Sequence, residues 1–536
     1  MLILRNTLES LSGVFRFLLF CLALCLAGCS KMEERADLVI CNGKEPESLD
    51  PAILTGMPDG RVALALFEGL TRYDPKDSSP LPGLAERWEI SEDGKTYTFF
   101  IRANAVWSTG EPITAHDFVW SWLRVLHPDT AADYAGNLYY IKNAEAFNTG
   151  KLTNAAEVGV QALNERTLKV DLVNPTPFFL ELCAFSPQTV VPRQVIEKHG
   201  DRWLHVRPLP SSGAYELVYW RLNDRIRVKK NMRYWDAQNT ASEVVDFVPV
   251  NTATTAINLY ETKQVDIIWD KDSIPSELLP VLRKRPDFHR FPVLGTYFYR
   301  YNVTRKPFDD PRVRKALSMA IDRKKIVEKI TAGGELPANF LVPPNSGKYR
   351  SPEGLPYDPE AARKLLAEAG FPDGKGFRRF SYIFNTSREH QRIAVELQEM
   401  WRKELNIHVD LKSVEWNVFF RFQTELDYDL ARSSWFADYS DPNTFLDLFM
   451  SNNPNNRTGW RNERYDTLLR EANGLSDAVA REKVLQQAEA LMVRDELPIG
   501  PLFIYQGFNI WDPERITGAY TNPRDEHPTR TIKRLK

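Results

Sequence analysis

The sequence is poor in the residues that build metal centres and covalent scaffolds. Among 536 residues there are 5 cysteines and 8 histidines. The cysteines, at positions 21, 25, 29, 41 and 183, form no Cys-x-x-Cys pair, and the histidines do not cluster at ligand spacing. Neither a cysteine-bound metal nor a resident cofactor is expected. A Gly-x-Ser-x-Gly elbow and a His-Glu-x-x-His motif are also missing, which argues against a secreted peptide hydrolase. The tripeptide Gly94-Lys95-Thr96 is not a phosphate loop, because Glu89 stands where that loop needs its first glycine. An excess of one charge is lacking too. The 69 Lys and Arg face 71 Asp and Glu, a formal net of -2, so the basic footprint of a nucleic-acid binder is absent. No repeat or low-complexity tract occurs, and no apolar run is long enough to span a bilayer comfortably.

What is present is material for large cores. A chain of this length exceeds one ordinary core and suits two or three domains. Apolar residues make up 43%, enough to fill them. The 13 Trp and 20 Tyr belong mostly to those cores, and the remainder suit the walls of a cleft. At the start, Arg5 and Arg16 accompany a short apolar run over residues 17–27, which ends in Leu26-Ala27-Gly28-Cys29. This resembles a bacterial lipoprotein signal, residues 1–28, after which Cys29 is acylated and becomes the new N-terminus. Each buried acyl methylene contributes roughly 0.8 kcal/mol, so several chains anchor stably. The expected location is the periplasm or the outer face of the cell envelope. Loss of the signal leaves Cys41 and Cys183, and their spacing leaves open whether they meet.

Helical and strand periodicities alternate along the chain. Residues 97–101 read as a strand after the turn Glu92-Asp93-Gly94-Lys95. Residues 311–330 read as one amphipathic helix, with Val313, Leu317, Ala320, Ile321, Val327 and Ile330 near one face. Asp358-Pro359 starts another helix, which Gly370 ends. Residues 380–384 read as a strand, 388–405 as a helix, and Ile407, Val409 and Leu411 alternate as a second strand. This is a βαβ unit, so a parallel α/β sheet is expected. Residues 428–433 form a further strand. Ligands of such sheets bind beyond the strand C-termini, which points to the exit Ser434-Trp435-Phe436-Ala437-Asp438.

Six segments resemble, in order, the family 5 extracellular solute-binding proteins and their oligopeptide-binding subgroup. They are Glu45-Pro46-Glu47-Ser48-Leu49-Asp50-Pro51; Leu66-Phe67-Glu68-Gly69-Leu70 with Leu84-Ala85-Glu86-Arg87-Trp88; Trp107-Ser108-Thr109-Gly110 to Thr114-Ala115-His116-Asp117-Phe118; Ser212-Gly213-Ala214-Tyr215; Phe308-Asp309-Asp310-Pro311-Arg312-Val313-Arg314; and Ala431-Arg432-Ser433-Ser434-Trp435-Phe436-Ala437-Asp438-Tyr439. The resemblance implies a periplasmic-binding-protein-like α/β fold (type II, cluster C), with two lobes and three domains around a ligand cleft. Domain I takes residues 29–68, 190–294 and 504–536. Domain II, inserted into it, takes 69–189, and domain III takes 295–503. The implied function is an extracytoplasmic receptor, not an enzyme. It binds short peptides between closing lobes and delivers them to the permease subunits of an ABC importer. It is expected to be a monomer held to the membrane by its lipid, with no nucleic-acid partner. The same family includes receptors for murein peptides, dipeptides and other solutes.

Within that resemblance Asp438 matches the acid that holds a peptide ammonium. Arg432 matches an arginine that meets short-peptide carboxylates, and His390 a histidine that reaches those of longer peptides. Trp435, Trp416 and Trp269 match aromatic pocket walls, Tyr134 matches a cleft tyrosine, and Ser434 and Phe436 complete the motif. Read from the residues alone, Asp438 is equally a turn residue ahead of Asp441-Pro442-Asn443. Arg432 is equally half of an ion pair, His390 a solvated helix-start residue, and each tryptophan a core residue. Two departures bear on specificity. Gly295 and Phe436 stand where enterobacterial members carry a disulfide pair, and Gln423 replaces a second cleft arginine.

Overall fold

The computed structural model describes residues 34–269, 273–344 and 346–535. Cys29 and the signal segment lie outside these residues. The strands used below are β1 (Leu38–Gly43), β2 (Ala85–Ile90), β3 (Thr96–Ile101), β4 (Val160–Asn164), β5 (Thr167–Asp171), β6 (Tyr215–Arg221), β7 (Arg225–Lys230), β8 (Val244–Pro249), β9 (Ile267–Ile268), β10 (Phe288–Tyr301), β11 (Leu336–Pro337), β12 (Phe380–Asn385), β13 (Val409–Val414), β14 (Leu430–Phe436) and β15 (Ile499–Trp511). The helices are α1 (Ala115–Leu126), α2 (Pro311–Met319), α3 (Pro359–Glu368), α4 (Arg388–Leu405) and α5 (Trp416–Thr424).

Strands β2, β3, β5 and β4 make a separate antiparallel sheet in that order. Phe99 of β3, Phe118 and Trp122 of α1, and Phe179 pack into its core. We call this body the second lobe. The other strands form one mixed sheet, ordered β13-β12-β14-β10-β15-β9-β1-β8-β7-β6, with β11 paired to β15. One end of it covers a core containing Ile40, Trp203, Tyr215 and Phe247. The other end is covered on both faces. Tyr297, Tyr299 and Tyr301 of β10 enter one layer with Trp401, and Phe298 enters the opposite layer with Phe449. The two-residue period of a strand produces this division.

The expected βαβ unit forms. Ser387 caps α4 by accepting a hydrogen bond from the His390 amide, and Asn406, with φ of 54°, ends it. Ile393, Ala394, Leu397, Trp401 and Leu405 are its buried face. β12 and β13 pair in parallel from Phe380↔Val409 to Asn385↔Val414, and β12 also pairs in parallel with β14. Strand 97–101 and helix α3 also form.

Two boundaries differ from the sequence reading. The single helix expected over 311–330 is broken: α2 ends at Met319, and the chain resumes at Arg323. The cause is local. The Asp322 side chain accepts the Lys325 amide at 3.0 Å and starts a new turn. The strand expected over 428–433 instead runs from Leu430 to Phe436, so Ser434, Trp435 and Phe436 still belong to the sheet. Cys41 and Cys183 are both buried thiols, and no disulfide joins them.

The two long strands β10 and β15 carry the sheet from one end to the other. Their pairing breaks between Pro292 and Thr296. There the Leu294 amide donates to the Pro523 carbonyl, and the Leu294 carbonyl accepts from Ala437. The end of β14 is therefore fixed to the crossing point of the sheet.

Trp401 is fully buried, and its indole N–H donates to the Leu317 carbonyl at 2.9 Å. Trp401→Ala is expected to cost about 3–5 kcal/mol. A urea denaturation midpoint within error of the unsubstituted protein would contradict this.

Candidate functional site

The alternation of β14 sorts its side chains. Ser433 and Trp435 face one way: the Ser433 hydroxyl accepts from Arg300 at 3.0 Å, and Trp435 packs on the layer beneath. Arg432, Ser434 and Phe436 face the other way. Arg432 and Phe436 line a cavity of about 620 Å³, together with His390, Asn385, Tyr505 and Glu335.

Arg432 lies deep in this wall. It donates to the Tyr505 hydroxyl at 3.1 Å and to Asn385 at 3.5 Å, and its guanidinium lies 4.9 Å from the Tyr297 ring centroid. Its Nε has no hydrogen-bond acceptor, and no carboxylate among the described residues lies within ion-pair distance. A buried cation held only by neutral groups is a ready anion site, because desolvation is largely repaid when a negative charge arrives. The ion-pair alternative for Arg432 is therefore not what the fold provides. The first turn of α4 brings Arg388 and His390 to the same cavity. Its amide-rich end adds positive potential. His390 is buried, with its Nδ1 3.4 Å from the Tyr297 hydroxyl, so it is not the solvated residue of the alternative reading.

Phe436 and Gly295 are cross-strand partners. A Cβ on Gly295 would come within 2.6 Å of the Phe436 ring. Glycine is thus what lets the ring lie there, stacked 4.8 Å from Tyr505 with 44% of the residue exposed. Gln423 is buried and donates to the Arg432 carbonyl at 3.2 Å.

Asp438 lies two residues beyond β14. Its backbone N–H donates to the Thr444 hydroxyl at 3.2 Å, but its carboxylate accepts no hydrogen bond from a described residue. The group sits far inside the protein yet keeps part of its surface accessible. The acid is thus densely surrounded without being sealed from solvent. Burial pushes its pKa up to about 6, against a smaller opposing pull from Arg524. Tyr134 of the second lobe is half-buried, edge-on to Phe185 at 5.2 Å. Burial raises its phenol pKa, and the nearby Asp438 charge raises it further, so this tyrosine and Asp438 are close enough to interact electrostatically.

The remaining sequence candidates are placed as follows. Trp435 is half-buried, its indole N–H 3.4 Å from the Thr444 hydroxyl. Trp416 is 54% exposed at the start of α5, beside Phe419 and Phe420, and does not line the cavity of Arg432. Trp269 is wholly buried, stacked at 3.8 Å on His527 and 5.3 Å from Trp511. It is a core residue, not an exposed wall. Sequence reasoning missed Tyr505, Asn385 and Arg524. They lie far from the motif in the chain, and no local pattern marks them. A second cavity, about 50 Å³, adjoins buried Glu68, whose carboxylate is already taken by the Tyr234 and Trp235 side chains. It is too small for more than a water or two.

A large mixed sheet with helices on its faces, a separate small sheet beside it, and buried charged side chains at strand ends fit a two-lobed solute-binding fold. The comparisons place it more closely. Residues 79–457 match the model for bacterial extracellular solute-binding proteins, family 5. The chain belongs to that family, whose members are extracytoplasmic binding proteins rather than enzymes. It is 36% identical over 501 residues to the periplasmic oligopeptide-binding protein OppA of Salmonella typhimurium, covering 92% of this chain and 91% of that one. A periplasmic oligopeptide-binding protein of Borrelia burgdorferi superposes with a TM-score of 0.81 at 33% identity, covering 94% of this chain and 100% of that one. The murein tripeptide-binding protein MppA of Escherichia coli also gives 0.81, at 34% identity, with 94% and 99% covered.

The raised pKa of Asp438 fixes a sign. Above about pH 6 the carboxylate is ionised inside the fold, at a cost to stability that protonation relieves as the pH falls. A cationic ligand needs the ionised form. Its affinity is therefore expected to fall as the pH drops through 6, to roughly tenfold weaker at pH 5 than at pH 7. Calorimetry with an amine-bearing peptide that gave equal affinities at both values would contradict this.

Proposed function

We propose that the chain is an extracytoplasmic receptor that holds short peptides in an extended form along β14 and hands them to the permease subunits of an ABC importer. The observation that carries this is a pair of buried, incompletely satisfied charges of opposite sign. Arg432 lacks an acid partner and Asp438 lacks a hydrogen-bond donor. Six residues of chain separate them, a span of up to ~20 Å at ~3.3 Å per residue. At up to ~3.6 Å per residue, a peptide of about three to five residues places its ammonium and carboxylate ~10–18 Å apart, inside that limit. Asp438 takes the ammonium. Arg432 takes the carboxylate of shorter peptides, and His390 with Arg388 takes that of longer ones. Ser434, Phe436 and Tyr134 border the side chains. Roomy, polar surroundings tolerate different residues there, because water can re-form its hydrogen bonds. The oligopeptide-binding relatives support the ligand class.

Closure follows from the ligand touching both lobes: only its differential affinity for the closed form shifts the population. The domain limits that fit this motion are 68/69, 189/190, 294/295 and 503/504, with β10 and β15 as the crossing segments. A murein peptide is a second reading, favoured by the likeness to MppA and by the Phe436–Gly295 pair, which replaces a wall of the side-chain space. Cys29 carries the lipid, and the receptor acts as a monomer.

Asp438→Ala is expected to weaken a free-amine tripeptide at least a hundredfold, with a change in melting temperature of only a few degrees. N-acetylation of the peptide reproduces the loss in the unsubstituted protein. Unchanged affinity in either case would reject the assignment. Cys29→Ser is expected to release the protein from the membrane fraction, and intact mass should fall by the weight of the acyl chains. Retention at the membrane with unaltered mass would refute the anchor.

A further inference from the structure

The residue after Asp438 does something different from its neighbour. Asp438 stays partly accessible, whereas Tyr439 enters the core of the second lobe. Tyr439 is 3% exposed and packs with the same hydrophobic cluster as Phe99, Trp122 and Phe179. Its ring stacks on Phe178 at 3.9 Å and 5°. Tyr140 stands edge-on to both rings, at 88° and 84°. The Tyr140 and Tyr439 hydroxyls lie 2.8 Å apart, so one donates to the other. The next residue continues the contact: the Ser440 amide donates at 2.7 Å to the Glu181 carboxylate, which lies 3.8 Å from Arg524. Asp441 then returns to its own lobe in a two-point pair with Arg481, both contacts at 2.8 Å. One short stretch of chain thus leaves the large sheet, inserts an aromatic ring into the second lobe, and comes back.

We propose that Tyr439, held by Tyr140 and Phe178 with Glu181 holding the next residue, Ser440, is a clasp between the lobes that positions Asp438 for capture of the ligand. Tyr439 is a positioning residue and touches no ligand. The inference rests on the reading of Asp438 as the ammonium site. The physical logic is that residues 438 and 439 are consecutive. An ammonium that fixes Asp438 also fixes the direction of Tyr439, and a seated Tyr439 holds Asp438 in place. The clasp is reversible by construction. Its parts are an aromatic stack, a phenol pair and one amide–carboxylate bond, with no charge on Tyr439 to strand when the lobes part. A closing contact must be of this modest kind, because a receptor locked shut without ligand could not load.

The test measures lobe separation and peptide release together. Spin labels on Leu163→Cys and Val395→Cys, both exposed and on opposite lobes, report the distance distribution in the full chain. Ala-Ala-Ala and its N-acetyl form are the probes. In Tyr439→Phe and in Tyr140→Phe the peptide-free distribution is expected to shift toward longer separations. Dissociation of Ala-Ala-Ala is expected to quicken three- to tenfold, and the double variant is no worse than either single one, since each removes the same bond. Tyr439→Ala quickens dissociation more than tenfold. If that variant does not fold, the two phenylalanine variants carry the test. A lower melting temperature with unchanged distances and dissociation rate is the result of a merely structural role and overturns the proposal. If N-acetyl-Ala-Ala-Ala binds as tightly as the free peptide, the ammonium assignment fails, while the peptide-free distances still decide the clasp.

Discussion

A buried charge without its counterion is the constraint from which the rest of this protein follows. Raising the pKa of Asp438 from 3.8 to about 6 corresponds to roughly 3 kcal/mol withheld from the ionised form. The fold bears that cost, as it does at buried Asp447 and Glu489, whose carboxyls burial pushes up to about 7. Arg432 is a buried cation without an acid partner, supported instead by a tyrosine hydroxyl, an amide and an aromatic face, which more than offset its burial. The two lie on one line of chain, toward the end of one strand, which is why the proposed ligand is a zwitterion laid along it.

The sheet makes this possible by supplying both a rigid ruler and a break. β14 is held by β10 on one side and β12 on the other, which fixes the spacing of Arg432, Ser434 and Phe436. β10 and β15 pass from one end of the sheet to the other, but their ladder is interrupted between Pro292 and Thr296. The amides freed there are not wasted: Leu294 bonds to Pro523 and receives Ala437. The exit of β14 is thus tied to an interruption in the ladder between the two long strands.

The Phe436–Gly295 pair shows how a small local change can adjust such a site without disturbing its frame. The two residues face each other across the ladder, the glycine leaves room for the ring, and the ring covers Tyr505, whose hydroxyl supports Arg432. Packing at a side-chain wall is therefore linked to the posture of the anion-facing arginine through one tyrosine.

Local pattern in the chain was enough for several features. The βαβ unit over 380–414 was legible because the helical period of α4 and the strand period on either side are strong and uninterrupted. The same alternation put Arg432, Ser434 and Phe436 on one face, and the motif around Asp438 was recognisable residue by residue. The break after Met319 was harder to read, since the apolar face continues past it and only the Asp322 side chain redirects the turn. Tertiary structure alone decided the remainder. It made Trp269 a core residue stacked on His527, left Arg432 without an acid, and sent Tyr439 into a lobe built from residues some three hundred positions earlier. The physical reason is that periodicity is a property of neighbours in the chain, whereas burial and charge compensation are set by whatever distant segments the fold brings alongside.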